Sequence, residues 1–179
     1  MNILIDLIYF LGTGMGRVGT TFPIEIHGFI IKLIGLEMLY LEFIGKSNKK
    51  ERLLIENAFR WSYQKLIPRY KIYITCHVIA NIDREGDTIF EDAEYNPREF
   101  LIRIKKNLPE EDLITLVFHE MVHVKQFAKK ELRYTWDNKS FNYKIVFNNK
   151  DTTELSYLDR PYEKEAYKLQ ESLYKEYIK

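Results

Sequence analysis

The sequence HEMVH at residues 119–123 has two histidines four residues apart and a glutamate directly after the first. On an α-helix a step of four residues turns through about 400°, so His119 and His123 would lie one turn apart on the same face and could reach one metal ion. Glu120 would lie about 100° round from His119, where its carboxylate can hold a water molecule on that ion. The motif therefore supplies two metal ligands and a base.

A catalytic zinc ion commonly has three protein ligands and one open position, where bound water has a pKa of about 7 and becomes a nucleophile once a carboxylate takes its proton. The competing interpretation is an ordinary helix that carries two histidines by chance. Apolar flanks predict that this helix is buried, and histidines and a glutamate buried there without a ligand would be costly, which favours metal binding. The apolar flanks are Leu113, Leu116, Val117, Val122, Phe127 and Ala128.

The charges around the motif are those of a complete helix. Pro109 is followed by the acidic residues 110–112, and Lys129 and Lys130 close the segment, which is the distribution that the helix dipole favours. HEMVH is therefore predicted to lie in the middle of a helix.

The remaining segments predict a mixture of helices and strands. Apolar residues recur at helical spacing from Glu51 to about Leu66, and Pro68 ends the run. The runs KIYITCHVI, GDTIFEDA and EFLIRIKKNL predict strands of an antiparallel sheet. After the HEMVH helix, SFNYKIVF predicts a hairpin or a strand and loop, and PYEKEAYKLQESLYKEYIK predicts an amphipathic helix with proline at its start.

A third metal ligand must come from another element, and RPYEKEAY is the only later segment that combines paired acids with a helix start. Glu163 and Glu165 are the candidates. Two residues apart on a helix, they would point about 200° away from each other, so only one can face the ion. Because acidic pairs at helix N-termini also serve as partners of the helix dipole, the residues alone leave the ligand open.

The segments HEMVHVKQ, YTW with its polar turn, and YLDRPYEKEAY together resemble the small SprT-like and minigluzincin-type metallopeptidases, many of them carried by phages. The resemblance covers roughly residues 50–179. It implies an α+β, zincin-like core: a helix, a short antiparallel-rich sheet, the HExxH helix, a hairpin, and a C-terminal helix that bears a glutamate ligand. It also implies a zinc-dependent peptidase that hydrolyses polypeptide by metal-activated water.

The resemblance implies roles for particular residues. Zinc would be held by His119, His123 and Glu163, since the family's glutamate ligand lies three residues before a small side chain and Glu163 precedes Ala166 by that spacing. Glu120 would be the catalytic base. Tyr157 would be a catalytic residue that donates a hydrogen bond to the oxyanion. A strand within REFLIRIKK would form the edge of the sheet and pair with the substrate. No acidic partner is expected to orient a ligand histidine, because Tyr167 stands where such a residue often follows.

Composition excludes several other partners. Lys and Arg number 27 against 26 Asp and Glu, so the net charge of +1 gives no field that would attract nucleic acid. The apolar run 29–45 carries Lys32, Glu37 and Glu42, which disfavour insertion in a membrane. Cys76 is the single cysteine, which excludes a disulfide within the chain and suits a reducing compartment. We expect a cytoplasmic protein, in the host cytoplasm or the virion if phage-encoded.

Three weaker signals are set aside. The glycines from Gly14 to Gly19 match G-x-G-x-x-G, but Pro23 follows where a helix should open, so a turn is the better interpretation. His27 and His77 are single histidines in apolar or strand surroundings and are interpreted as ordinary side chains. Cys76 and His77 are neighbours on a strand and would point to opposite faces, so they are not a nucleophile pair.

The chain is predicted to have a hydrophobic N-terminal extension, residues 1–48, and a metallopeptidase domain, residues 49–179. The extension is too apolar for a solvated tail, so we expect it to mediate self-association or binding to a larger assembly, with packing on the catalytic core as the alternative. Two other functions remain open: a noncatalytic structural or adaptor protein, such as a virion component, that retains a zincin scaffold, and a zinc hydrolase that acts on cell-wall peptides or another amide.

Overall fold

The structure is a computed structural model that describes residues 38–80, 82, 85–90, 97–138 and 141–179. The described residues form three α-helices and two β-sheets, which confirms the predicted α+β class. A short 3-10 turn, Tyr157–Asp159, precedes the last helix. In chain order the elements are β1 (Leu39–Gly45), α1 (Lys49–Leu66), β2 (Ile72–Ile79), β3 (Gly86–Phe90), β4 (Glu99–Lys105), α2 (Glu110–Ala128), β5 (Leu132–Asp137), β6 (Asn142–Phe147), β7 (Lys150–Asp151) and α3 (Pro161–Tyr177).

The larger sheet has the strand order β1-β2-β4-β3 and is mixed. Strand β1 is parallel to β2, β2 is parallel to β4, and β3 is antiparallel to β4. The predicted antiparallel pairing is therefore wrong for β2 and β4. Strand β4 lies between β2 and β3 in the sheet, so β2 pairs with β4 rather than with β3, the next strand in the chain. Helix α1 connects β1 to β2 and returns the chain to the same end of the sheet, which makes those two strands parallel.

Strand β4, which lies within REFLIRIKK, is not the edge that we expected. It pairs with β2 on one side and with β3 on the other. Its residues Phe100, Ile102 and Ile104 alternate with half-buried side chains and are almost fully buried, as suits a central strand. In the described part of the chain, β3 forms that edge of the sheet.

Helix α2 is the centre of the fold, because nearly every residue from Leu113 to Ala128 is buried. It packs against α1 on one side and α3 on the other. At the far end of α3 an aromatic cluster joins the three helices: the rings of Trp61, Phe118 and Tyr177 lie 5.3–5.5 Å apart, centroid to centroid.

The smaller sheet is antiparallel, in the order β5-β6-β7, and it contains the hairpin that SFNYKIVF predicts. Asn148 and Asn149 connect β6 to β7 with φ angles of 48° and 65°. Asparagine tolerates this left-handed region, which a two-residue hairpin turn needs. Helix α3 begins at Pro161, as the sequence predicts.

The predicted N-terminal extension is described only in part. Residues 39–45 of it form β1, which pairs with β2, and the side chains of Leu39, Leu41 and Phe43 belong to the hydrophobic core or pack against it. The glycine motif and His27 lie outside the described residues, as does most of the segment for which we predicted self-association. Among the described helices, no stretch combines the length and hydropathy that a membrane span needs.

The structure predicts an unreactive thiol. Cys76 is fully buried in β2, and burial raises the pKa of its thiol to about 12. Because the thiolate is the reactive form, we expect a chromogenic thiol reagent to leave the native protein unmodified at neutral pH and to label the single cysteine after unfolding. Rapid stoichiometric labelling of the native protein would contradict this burial.

Candidate metal centre

Helix α2 places His119 and His123 one turn apart on the same face, as the spacing predicts. Both residues are 8% exposed. Their Nε2 atoms lie 3.1 Å apart, and the ring planes are inclined at 80°. The two imidazoles therefore direct their Nε2 atoms toward a common point.

Glu163 of α3 completes the group. Its Oε2 atom lies 3.3 Å from Nε2 of His119 and 3.4 Å from Nε2 of His123. The three ligand atoms all lie within 4.8 Å of one another, and all three residues are buried. This His-His-Glu group could bind a metal ion, because each residue can offer the lone pair of one ligand atom to the same small volume.

The electrostatics of the group favour a positive charge. Burial opposes ionisation of Glu163, but its hydrogen bonds with His119 and His123 outweigh that effect and hold the pKa of the carboxyl well below its usual range. Burial also opposes a charge on His123, yet the hydrogen bond that its protonated ring donates from Nε2 to Glu163, together with the nearby charge of Glu120, raises the pKa of this imidazole. The Glu163 carboxyl is thus ionised at neutral pH, and its negative charge lies beside the two imidazoles.

Glu165, the other candidate ligand, lies away from the histidines. Its Oε1 accepts a hydrogen bond from Nζ of Lys125 at 2.9 Å, and its Oε2 accepts one from Nε2 of Gln126 at 2.9 Å. The two acids of RPYEKEAY therefore face different neighbours, as their spacing on a helix requires. The structure brings Glu163 to the histidines.

Two glutamines orient the histidines. Oε1 of Gln170 lies 2.7 Å from Nδ1 of His119, and Oε1 of Gln126 lies 2.8 Å from Nδ1 of His123. Tyr167, which stands where an acidic partner often follows, packs its ring against His119 at 4.8 Å between centroids. Sequence reasoning missed both glutamines, although Gln126 follows His123 by three residues, a spacing that places side chains together on a helix.

Glu120 is buried beside the group without belonging to it. Its Oε2 accepts a hydrogen bond from Oγ1 of Thr88 on β3 at 2.6 Å. Burial raises the pKa of Glu120, whereas the nearby histidines oppose that rise. Thr88 gave no signal in the sequence, because the contact joins an edge strand to a helix distant from it in the chain.

Tyr157 lies beside Glu163. Its hydroxyl donates a hydrogen bond to Glu163 Oε2 at 3.0 Å, and the residue is 44% exposed. Burial raises the pKa of the phenol, and a hydrogen bond with Tyr167 and the charge of Glu163 raise it further. Tyr157 is therefore a neutral donor at neutral pH, and in this structure it donates to the carboxylate of the His-His-Glu group.

The three ligand side chains line an open cleft along α2. Strand β3 forms one wall, and it lies so close to α2 that a Cβ at Gly86 would come within 2.9 Å of Leu116 Cδ1. Toward the start of α2 the cleft is lined by acidic side chains, including Asp112, and toward its end by the apolar Phe127 and Leu132. The His-His-Glu group lies between these two regions.

Comparison with protein-family models, with curated proteins and with solved structures gave no match.

Loss of Glu163 should abolish tight metal binding. Loss of a residue that only hydrogen-bonds to a metal ligand weakens binding by roughly 10–100-fold. We expect Glu163→Ala to weaken zinc binding by more than this, because the variant removes both a ligand atom and the negative charge. Equilibrium dialysis against zinc with elemental analysis measures this. Glu171→Ala, which removes an exposed carboxylate from the same helix, is the matched control. Wild-type affinity in Glu163→Ala would refute the ligand role.

Proposed function

We propose that this protein is a zinc-dependent metallopeptidase with a zincin-like core of minigluzincin type. The observation that supports it most directly is the position of Glu163, a residue of a separate helix, within 3.4 Å of both histidines of HEMVH. A helix with two histidines by chance has no need for a third metal ligand at that point. The motif and its expected ligand occur together in a cleft.

Zinc is the metal that the ligand set favours. Two imidazole nitrogens and one carboxylate oxygen are a common set for catalytic zinc, whereas structural zinc sites are usually closed by thiolates. His119, His123 and Glu163 would hold the ion, and their orientation by hydrogen bonds at Nδ1 suits ligation through Nε2. When bound, zinc would polarise the substrate carbonyl and lower the pKa of a water molecule.

Glu120 would act as the general base. It lines the cleft beside the histidines, and Thr88 holds its Oε2, so the carboxylate has a defined orientation. A carboxylate in this position can take a proton from the attacking water and pass it to the leaving amine. Burial, which raises the pKa of Glu120, strengthens it as a base.

Tyr157 would stabilise the developing oxyanion. Its phenol stays protonated at neutral pH and lies at the edge of the ligand group, where it now donates to Glu163. A donor at this position could turn to the carbonyl oxygen of the substrate as negative charge develops there.

The substrate would be an extended polypeptide that adds to β3. Among the strands that the structure describes, β3 is the edge beside the cleft. Thr88 connects it to Glu120, so a peptide along β3 would pass the base. The part of α2 that lines the cleft reaches from Glu111 to Phe127, which is about 24 Å of helix at 1.5 Å per residue. At roughly 3.3 Å per residue, an extended segment of about seven residues matches that length. Cleavage within a chain fits this open cleft.

The role of Glu120 can be separated from metal binding. We expect Glu120→Gln to keep its fold and its zinc but to lose hydrolysis by a factor of about 100 or more, because the amide has nearly the same shape and cannot take a proton. Cleavage of unstructured polypeptides, followed by mass spectrometry, measures this at matched zinc occupancy. Glu171→Gln serves as the control.

Unchanged turnover in Glu120→Gln would remove this residue from the mechanism. A wild-type chain that binds zinc and cleaves neither polypeptides nor cell-wall peptides would instead favour a noncatalytic scaffold.

The role of Tyr157 has a distinct kinetic signature. We expect Tyr157→Phe to reduce kcat by a factor of about 100, the usual cost of losing one oxyanion donor, with little change in KM. Zinc affinity is measured alongside. If the variant binds zinc more weakly and each bound zinc still turns over at the wild-type rate, Tyr157 only supports Glu163.

A further inference from the structure

We propose that Gln126 and Glu165 form a positioning pair that fixes the tautomer of His123 before any metal binds. The inference rests on the proposed function and assigns the site two positioning residues. Gln126 would hold the proton of His123 on Nδ1 and so leave the Nε2 lone pair facing His119 and Glu163. Glu165 would act through Gln126, without touching the metal or the substrate.

The orientation of the Gln126 amide is determined by its neighbours. Gln126 is 0% exposed. Its Nε2 lies 2.9 Å from the backbone carbonyl oxygen of Tyr162 and 2.9 Å from Oε2 of Glu165. A carbonyl and a carboxylate can only accept hydrogen bonds, so the amide nitrogen, which carries two hydrogens, must face them.

The tautomer of His123 follows from that orientation. With its nitrogen directed at two acceptors, Gln126 presents Oε1 to Nδ1 of His123 at 2.8 Å. An amide oxygen only accepts, so Nδ1 must carry the proton, and in the neutral ring Nε2 then has the lone pair. Turning the amide over would bring Oε1 against two other oxygen atoms in a buried place, where no water can compensate.

Glu165 is itself held in place. Its Oε1 accepts from Nζ of Lys125, which also lies 2.7 Å from Oε2 of Glu131. Lys125 thus joins two carboxylates and keeps Glu165 directed at Gln126. Glu165, the second acid of RPYEKEAY, thus has the role of orienting Gln126.

His119 lacks an equivalent arrangement. Its partner Gln170 is partly exposed, and among the described residues no hydrogen bond fixes the amide nitrogen of Gln170. Gln170 can therefore turn its amide, so it does not impose one tautomer on His119. The two ligand histidines differ in this respect, which provides an internal control.

The direct test is the tautomer of His123 in the zinc-free protein. Nitrogen-15 NMR of ring-labelled histidine distinguishes Nδ1–H from Nε2–H, at a pH high enough to keep the imidazoles neutral, with His123→Asn for assignment. We expect Nδ1–H in the wild type. Gln126→Met keeps the length of the side chain without its hydrogen bonds, so it should shift His123 toward Nε2–H and weaken zinc binding by about 10–100-fold.

Glu165→Leu provides a second variant, since its side chain is partly exposed and its loss is easier to tolerate. It should allow Gln126 to turn over, produce a mixture of tautomers at His123 and weaken zinc binding by roughly 10-fold. Gln170→Met is the matched control, and it should leave His123 as Nδ1–H.

Wild-type protein with His123 as Nε2–H would overturn the assignment, as would Gln126→Met or Glu165→Leu with an unchanged Nδ1–H signal. The tautomer is read in the absence of metal and of substrate. A wild-type chain that binds no zinc would therefore contradict the proposed function, while the NMR result would still decide the role of Gln126.

Discussion

The position of α3 relative to α2 is the constraint on which the candidate site depends, because α2 supplies the two histidines and α3 supplies Glu163. Two contacts hold α3 at its two ends. Near its start, Gln126 donates to the backbone carbonyl of Tyr162, and at its far end Tyr177 packs in the aromatic cluster with α1 and α2. A shift of α3 along α2 would therefore disturb both contacts as well as the position of Glu163.

The same packing explains how the fold tolerates so many buried polar groups. A buried carboxylate is costly unless it is hydrogen-bonded or paired. Glu120 accepts from Thr88, Glu163 interacts with the two histidines and Tyr157, and Glu165 accepts from Lys125. Each acid thus has its own partner, and these partners lie on β3, on α2 and in the 3-10 turn before α3. The polar interior connects β3, α2 and α3.

The sequence predicts what depends on local spacing. HEMVH on a helix and the opposed directions of Glu163 and Glu165 follow from helical geometry, and the structure shows both. The resemblance to known metallopeptidases, rather than spacing, selected Glu163. Gln170 and Thr88 could not be found in this way, since their contacts join elements far apart in the chain. The strand order could not be predicted either, because it depends on pairings between strands that are not consecutive in the chain, such as β2 with β4.

The aromatic cluster at the end of α3 has a consequence for how far the fold depends on a bound metal ion. Trp61, Phe118 and Tyr177 anchor α3 far from the ligands, and no metal is needed for that contact. Small zinc domains whose core depends on the ion unfold when a chelator removes it. Here the proposed ion would bind to helices that are already packed together. In the proposed function, a chelator would then empty the His-His-Glu group without separating α3 from α2.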